Sequence, residues 1–189
     1  TLAQGVRICL SPTFPSVSVM AQICIYTLEP LHHGGVMAKV RVASDLLRRF
    51  GHSVNLLFTA TEQVPTGSRL EILRHFYRRA WPYWATYGDY SGLAFPHWPL
   101  PIWITYLLPW LLGRRAFVDR DIHLVVSGAN QCGLPAALAR KRYLVWIGTL
   151  YADELEGKAL TGDRWAPHML SGVNGLMLRW EERLVFERS

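Results

Sequence analysis

Hydrophobic residues along the chain fall into two patterns, short continuous runs and longer stretches with helical spacing. Short apolar runs rich in β-branched residues predict buried parallel strands over 22–27, 54–59, 122–127 and 143–147. Between the first two runs, apolar residues recur three and four positions apart from Val36 to Phe50, which predicts an amphipathic helix that ends before Gly51. A strand, a helix and a strand in about thirty residues predict a βαβ unit.

The rest of the chain gives weaker patterns. The segment 70–77 is interpreted as a helix or part of one, and 81–101, rich in aromatic residues and proline, as irregular. The apolar run 102–118 contains Pro109 and falls short of the about 20 residues of a membrane span, so we expect a buried or interfacial helix. A short helix is predicted over 134–141. A last amphipathic helix is predicted from an apolar face formed by Met169, Val173, Leu176, Trp180 and Leu184.

Strands that alternate with helices predict an α/β fold, a Rossmann-like three-layer sandwich with a mostly parallel sheet. In such sheets ligands bind at the carboxyl ends of the strands, near the point where the strand order reverses. The loops 28–35, 127–133 and 148–156 are therefore the places where function is expected.

The first loop contains His33, Gly34 and Gly35 directly before a helix. Glycines there let a phosphate approach the free N–H groups of the helix start, although a tight turn without a ligand explains them equally well. The loop is not G-x-G-x-x-G and no acidic residue ends the second strand, which disfavours a dinucleotide cofactor. Neither the His32–His33 pair nor another motif provides a convincing metal site, so no metal is expected.

The other two loops carry polar candidates. Ser127, Gly128 and Asn130 offer hydroxyl, backbone and amide groups to sugar hydroxyls or phosphate, or they form a capped connection without a ligand. Asp153 and Glu154 follow the fourth strand, where they are candidates to orient an acceptor hydroxyl or to act as a base. The alternative is that they cap the next helix.

Charge and cysteine content narrow the class of partner. The formal net charge of +6 suits an anionic partner, such as a phosphate, a nucleic acid or an anionic membrane surface, although many cytosolic proteins are mildly basic without such a partner. The basic residues form small sets rather than a long run, which argues against a nucleic-acid tail. The three cysteines are widely spaced, which indicates a reducing compartment without a disulfide framework. Residues 1–19 are expected to be a non-native or disordered leader, and 20–189 the folded domain.

Several of these segments together resemble the N-terminal domain of the GT-B glycosyltransferases of family 4 (glycosyl transferases group 1). The specific part runs from Gly34-Gly35-Val36 to Gly51-His52, followed by the strand Ser53 to Phe58. The Asp-initiated strand 121–127 and the helix and strand over 134–146 are also similar. The resemblance covers about 20–189, with only a loose match over 62–118.

The resemblance implies metal-independent transfer of a sugar from a nucleotide-sugar donor to a glycan or lipid-linked acceptor. It implies that this domain shapes the acceptor side, with the loop of His33, Gly34 and Gly35 near the donor phosphates. Many members have a histidine after the strand that is 143–147 here, where this chain has Gly148-Thr149, so Thr149, Asp153 and Glu154 become the catalytic candidates. The family's donor-binding C-terminal domain is not in this sequence, so the chain is expected to be an inactive fragment by itself.

Two other interpretations stay open at this point. The chain could be a non-enzymatic nucleotide- or phosphate-binding α/β module. It could also be a membrane-surface protein built around 98–117, which is compatible with a transferase. The expected location is cytoplasmic, with peripheral attachment to the inner face of the membrane as the variant that a lipid-linked acceptor would favour.

Overall fold

The computed structural model shows an α/β protein with a six-stranded, mostly parallel sheet. It describes residues 20–28, 35–60, 68, 70, 74, 81–87, 89–96, 101–148, 150–164 and 166–189. The strands are β1 Gln22–Leu28, β2 Ser53–Ala60, β3 Tyr83–Tyr87, β4 Tyr90–Pro96, β5 Ile122–Ser127 and β6 Tyr143–Ile147. The helices are α1 Gly35–Arg49, α2 Ile102–Val118, α3 Leu134–Leu138, α4 Tyr151–Leu160, α5 Ala166–Leu170 and α6 Gly172–Glu187, with a 3₁₀ turn at Asn130–Gly133.

The strand order is β3-β4-β2-β1-β5-β6, and only β3 runs antiparallel to its neighbour. Ile23 of β1 is in register with Val54 of β2 on one side and with Ile122 of β5 on the other. The strands predicted at 22–27, 54–59 and 122–127 therefore share one parallel sheet, and the strand at 143–147 extends it. Because the chain builds outward from β1 in one direction and then in the other, the order reverses between β1 and β5.

Hydrophobic cores lie on both faces of the sheet. One face packs against α1, with a core of Ile23, Ile25, Met37, Val40, Ala43, Val54, Leu56, Phe58, Ala94 and Val126. The other face packs against residues of α2 to α6, including Phe117, Leu134, Leu155, Leu178 and Val185. This gives the expected three layers, and burial on both faces explains why the central strands are continuous apolar runs. Cys24 and Cys132 are buried free thiols whose pKa burial raises to about 12.

The prediction that 81–101 is irregular is wrong, because β3 and β4 form a hairpin at the edge of the sheet. Only Gly88-Asp89 separates the two strands, and aromatic residues are favourable in strands at such an edge. Trp84 of β3 is 60% exposed, so a large apolar residue occupies a solvent-facing position and the strand shows no alternation of apolar and polar residues. Of the segment 70–77, only the helical Leu70 and Arg74 are described, and 1–19 lies outside the described residues.

The apolar run 102–118 forms the 17-residue helix α2. The helix is confirmed, and its Tyr106, Leu108 and Phe117 are buried in the core, whereas Leu111 is exposed. A placement at a membrane interface stays a prediction. Across the described ranges, no helix is both long and apolar enough to cross a membrane.

The two C-terminal helix predictions need correction. The helix predicted over 134–141 ends at Leu138, because Arg140 adopts a left-handed backbone with φ of 54°. The helix predicted to begin at Met169 is divided into α5 and α6 at Gly172, whose φ is also 54°.

The apolar face predicted for the last helix is not the face that α6 buries. Val173, Leu176 and Trp180 are 67%, 65% and 46% exposed. Instead the helix buries the opposite stripe, which consists of Gly175, Leu178, Glu181, Glu182 and Val185. Gly175 lets the first turn of α6 pass close to the end of α5, because a Cβ atom there would lie 2.0 Å from the carbonyl oxygen of Leu170.

Candidate functional site

The loops that follow β5 and β6 approach the first two turns of α1. Val36 Cγ2 lies 3.4 Å from the position that a Cβ atom would take at Gly128. Lys39 Nζ lies 3.2 Å from the corresponding position at Gly148. Gly35, Val36, Lys39, Gly128 and Gly148 are called the loop junction below. It lies at the carboxyl edge of the sheet beside the reversal between β1 and β5, where ligands of parallel sheets bind.

Gly35 is the first residue of α1 and is exposed to solvent. Among the described residues, nothing lies within 4 Å of a Cβ atom placed at this position, and Gly35 is not among the glycines with positive φ. The described part of the fold therefore does not require a glycine here and leaves the backbone open on this side. The first N–H groups of a helix lack intrahelical partners and carry partial positive charge, so this opening suits an anion.

Lys39 is the main residue of the junction that sequence reasoning missed. Its side chain is half-buried, and its ammonium group approaches the backbone at Gly148. The available signal was its position four residues after Gly35, because residues four apart lie on one side of a helix. Lys39 adds a full positive charge to the partial charge of the helix start.

The candidates of the second loop have different roles in the structure. Ser127 is buried, its Oγ accepts a hydrogen bond from the Ala129 N–H at 3.1 Å and donates one to Cys132 Sγ at 3.4 Å. Asn130 is fully buried, and its side-chain amide has no hydrogen-bond partner in the described part of the chain. Of these three candidates only Gly128 belongs to the loop junction, while the hydrogen bonds of Ser127 stabilise the loop.

The acidic candidates lie in the first turn of α4, where carboxylates are favourable near the positive end of the helix dipole. Asp153 is exposed, whereas Glu154 forms an ion pair with Lys158 at 2.6 Å. The side chain that caps α4 comes from α6, since Glu182 Oε1 accepts a hydrogen bond from the Tyr151 N–H at 2.8 Å. His33, Gly34 and Thr149, the remaining candidates, lie outside the described residues.

A second group of titratable side chains is buried behind the sheet between α2, the 3₁₀ turn and α6. Glu181 is fully buried, and burial raises the pKa of its carboxyl group to about 9. Burial also raises the pKa of Tyr106 well above its usual value, and the ionised forms of Cys132, Tyr151 and Glu181 raise it further. These groups are therefore neutral at pH 7 and form part of the core.

Within the described ranges, no group of three or more His, Cys, Asp or Glu side chains could hold a metal ion. No protein-family model matches the sequence, and no curated protein or solved structure matches this chain. The chemistry of the loop junction is therefore the available guide to function. An open helix start, a lysine and glycines without side chains form an arrangement that can bind a phosphate group.

Proposed function

We propose that this chain is the N-terminal, acceptor-side domain of a glycosyltransferase with a GT-B fold, which transfers a sugar from a nucleotide-sugar donor to a glycan or lipid-linked acceptor. The observation that carries the proposal is the loop junction, where the start of α1 meets Gly128 and Gly148 at the carboxyl edge of the sheet. In the proposed arrangement a second, donor-binding domain closes over this edge.

Sugar transfer suits such a junction because negative charge builds up on the departing diphosphate. Preorganised N–H groups and cations aimed at that charge stabilise it without a metal ion. The open space beside Gly35 lets a phosphate reach the backbone at the start of α1, and the Lys39 ammonium adds to the positive potential.

The proposed catalytic group follows β6. Thr149, Asp153 and Glu154 occupy this part of the sequence, and the exposed Asp153 is the best placed to accept a proton from an acceptor hydroxyl. Glu154 is the weaker candidate, because Lys158 already neutralises its charge. A lipid-linked acceptor would place the protein at the cytoplasmic face of a membrane as a peripheral protein.

Binding of uridine and guanosine diphosphate tests the proposal, measured by calorimetry on the chain and on Gly35→Val. The valine side chain would fill the opening at the helix start, so we expect binding at least tenfold weaker. Gly157→Val is the matched control, since Gly157 is also a helical glycine with no described residue within 4 Å of an added Cβ.

Equal binding by Gly35→Val and the unchanged chain, with both folded by circular dichroism, would contradict a phosphate site at α1. A second experiment separates the enzyme from a non-enzymatic phosphate-binding module. If a protein that joins this chain to a donor-binding domain binds nucleotide without transferring sugar, the module is favoured.

A further inference from the structure

Helix α1 covers only part of its face of the sheet. The buried core beneath it draws on β1, β2, β4 and β5, and no described residue of β6 belongs to it. Leu144 and Trp146 of β6 are in register with Leu124 and Val126, and therefore point to the α1 side. They are 69% and 42% exposed, and Ile122 on the same side of β5 is 42% exposed. An apolar strip of sheet thus lies bare beside α1.

The side of α1 that faces this strip is also apolar and exposed. Lys39 identifies that side, because its ammonium approaches Gly148 after β6. Val42, Leu46 and Phe50 follow Lys39 by three, seven and eleven positions, which places them on the same side of the helix. They are 59%, 52% and 66% exposed.

The other side of α1 is engaged with β4. Tyr90 donates a hydrogen bond to Asp45 at 3.1 Å, and the guanidinium of Arg48 lies 5.1 Å from the centre of the Tyr90 ring. The apolar residues of α1 lie on the side away from β4. Together with the bare strip of β5 and β6 they border an open groove, with the helix as its wall and the strip as its floor. We name it the α1–β6 groove: Val42, Leu46 and Phe50 on the wall, and Ile122, Leu144 and Trp146 on the floor.

The groove is continuous with the loop junction. Lys39 stands at its end next to Gly148, and the eleven residue steps from Lys39 to Phe50 extend over about 17 Å at the rise of an α-helix. One end therefore carries a positive charge, and the length beyond it is apolar. This distribution matches an amphiphile with one anionic head and a hydrocarbon chain.

We propose that the α1–β6 groove binds the hydrocarbon chain of a lipid phosphate, with the phosphate group beside Lys39 and Gly148. The inference rests on the proposed function and narrows the acceptor to the lipid-linked class. Lys39 is one helical turn beyond Gly35, so the lipid phosphate and the donor diphosphate have adjacent, separate subsites. A second copy of the chain is a poorer occupant, because each copy carries a net charge of +6 and presents the same lysine.

Calorimetry with butyl, hexyl, octyl and decyl phosphate below their micelle concentrations, and with inorganic phosphate, tests the proposal on the full chain. Complete burial of a methylene contributes about fourfold in affinity, so a chain lying half-buried in an open groove should gain about twofold per methylene. Lys39→Met should weaken every member of the series, and Lys158→Met is its matched control. Leu46→Gln and Leu144→Gln should flatten the dependence on chain length.

Leu176→Gln is the matched control for the groove variants. Leu176 is 65% exposed on α6, which packs on the opposite face of the sheet, so the length dependence should remain. The groove variants replace side chains that are more than half exposed, and each should retain the melting temperature of the unchanged chain.

The possible results separate the two proposals. The groove proposal is overturned if alkyl phosphates bind no better than inorganic phosphate. If nucleotide binding still depends on Gly35 in that case, the proposed function remains in place. The groove proposal is also overturned if affinity still depends on alkyl chain length in both groove variants. A dimer that analytical ultracentrifugation detects and that Leu144→Gln dissociates would overturn it as well. If the unchanged chain binds neither nucleotides nor alkyl phosphates, the loop junction itself is rejected as a phosphate site.

Discussion

The buried carboxyl group of Glu181 makes the stability of this protein depend on pH in a direction that can be calculated. Glu181 is fully buried on the inner face of α6, and neither of its oxygens has a hydrogen-bond partner in the described part of the chain. Loss of water around the carboxyl group raises its pKa from 4.5 to about 9. In the folded protein the group is therefore protonated at pH 7, whereas in the unfolded chain it is ionised.

The sign follows from which state binds more protons. Between pH 4.5 and about 9 the folded state holds a proton at Glu181 that the unfolded state has lost, so raising the pH favours unfolding. The stability associated with the neutral carboxyl is complete below pH 4.5 and is lost as the pH rises towards the folded pKa. At about 1.4 kcal/mol per pH unit, the loss between pH 5 and pH 8 is about 4 kcal/mol. That is a large share of the typical stability of about 5–15 kcal/mol for a domain.

Glu181→Gln tests this reasoning, because glutamine keeps the shape of the protonated acid and cannot ionise. We expect the variant to have nearly the stability of the unchanged chain at pH 5 and to be more stable by about 4 kcal/mol at pH 8. Urea unfolding followed by circular dichroism at pH 5, 6.5 and 8 measures the difference. Other titrating groups, such as the buried His123, occur in both proteins, so their contributions cancel.

Glu156→Gln, which changes an exposed glutamate of α4, is the control and should show no such divergence. Parallel stability curves for Glu181→Gln and the unchanged chain would refute the reasoning. They would mean that Glu181 is hydrated or paired in solution and ionises near its ordinary pKa.

Two further predictions concern backbone positions. Gly113→Ala should lower the free energy of unfolding by about 1–3 kcal/mol, because the added Cβ would lie 2.3 Å from a carbon of the Phe95 ring. At Gly157, where no described residue lies within 4 Å of an added Cβ, the same substitution should stabilise the protein by up to about 1 kcal/mol. Equal effects of the two substitutions in urea unfolding would contradict the packing at Gly113. Arg140→Gly should raise the thermal midpoint, with a gain of about 1 kcal/mol, because Arg140 has a φ of 54° that costs other residues more than glycine; a lower midpoint would show that the arginine side chain contributes more than its backbone costs.

The accuracy of the sequence-based predictions followed how each segment is buried. The strands at 22–27, 54–59, 122–127 and 143–147 were found because four of the six strands are short apolar runs. The hairpin of β3 and β4 was missed, because an edge strand with an exposed Trp84 shows neither a continuous nor an alternating pattern. The two residues Gly88-Asp89 between aromatic runs were the signal that could have identified it.

The candidate site was predicted in place but not in detail. The carboxyl-end rule located the loops, since it depends only on parallel strands and their order along the chain. It could not reveal that Ser127 is used inside its loop, that Glu154 is paired with Lys158, or that Lys39 reaches Gly148. The contacts of Ser127 and Lys39 depend on how the loops pack, whereas Glu154 and Lys158 lie four residues apart on one helix, a spacing that the carboxyl-end rule does not consider.

The sequence by itself determined the alternation of strands and helices, the amphipathic α1 and the edge of the sheet at which function is expected, because these depend on local periodicity and on the chirality of parallel connections. Tertiary structure alone decided which face of α6 is buried. Its apolar stripe at Val173, Leu176 and Trp180 would be chosen by hydrophobicity, yet α6 buries the side that carries Gly175 and Glu181 instead. Side-chain volume and the fit between helices, which periodicity does not record, determined that outcome.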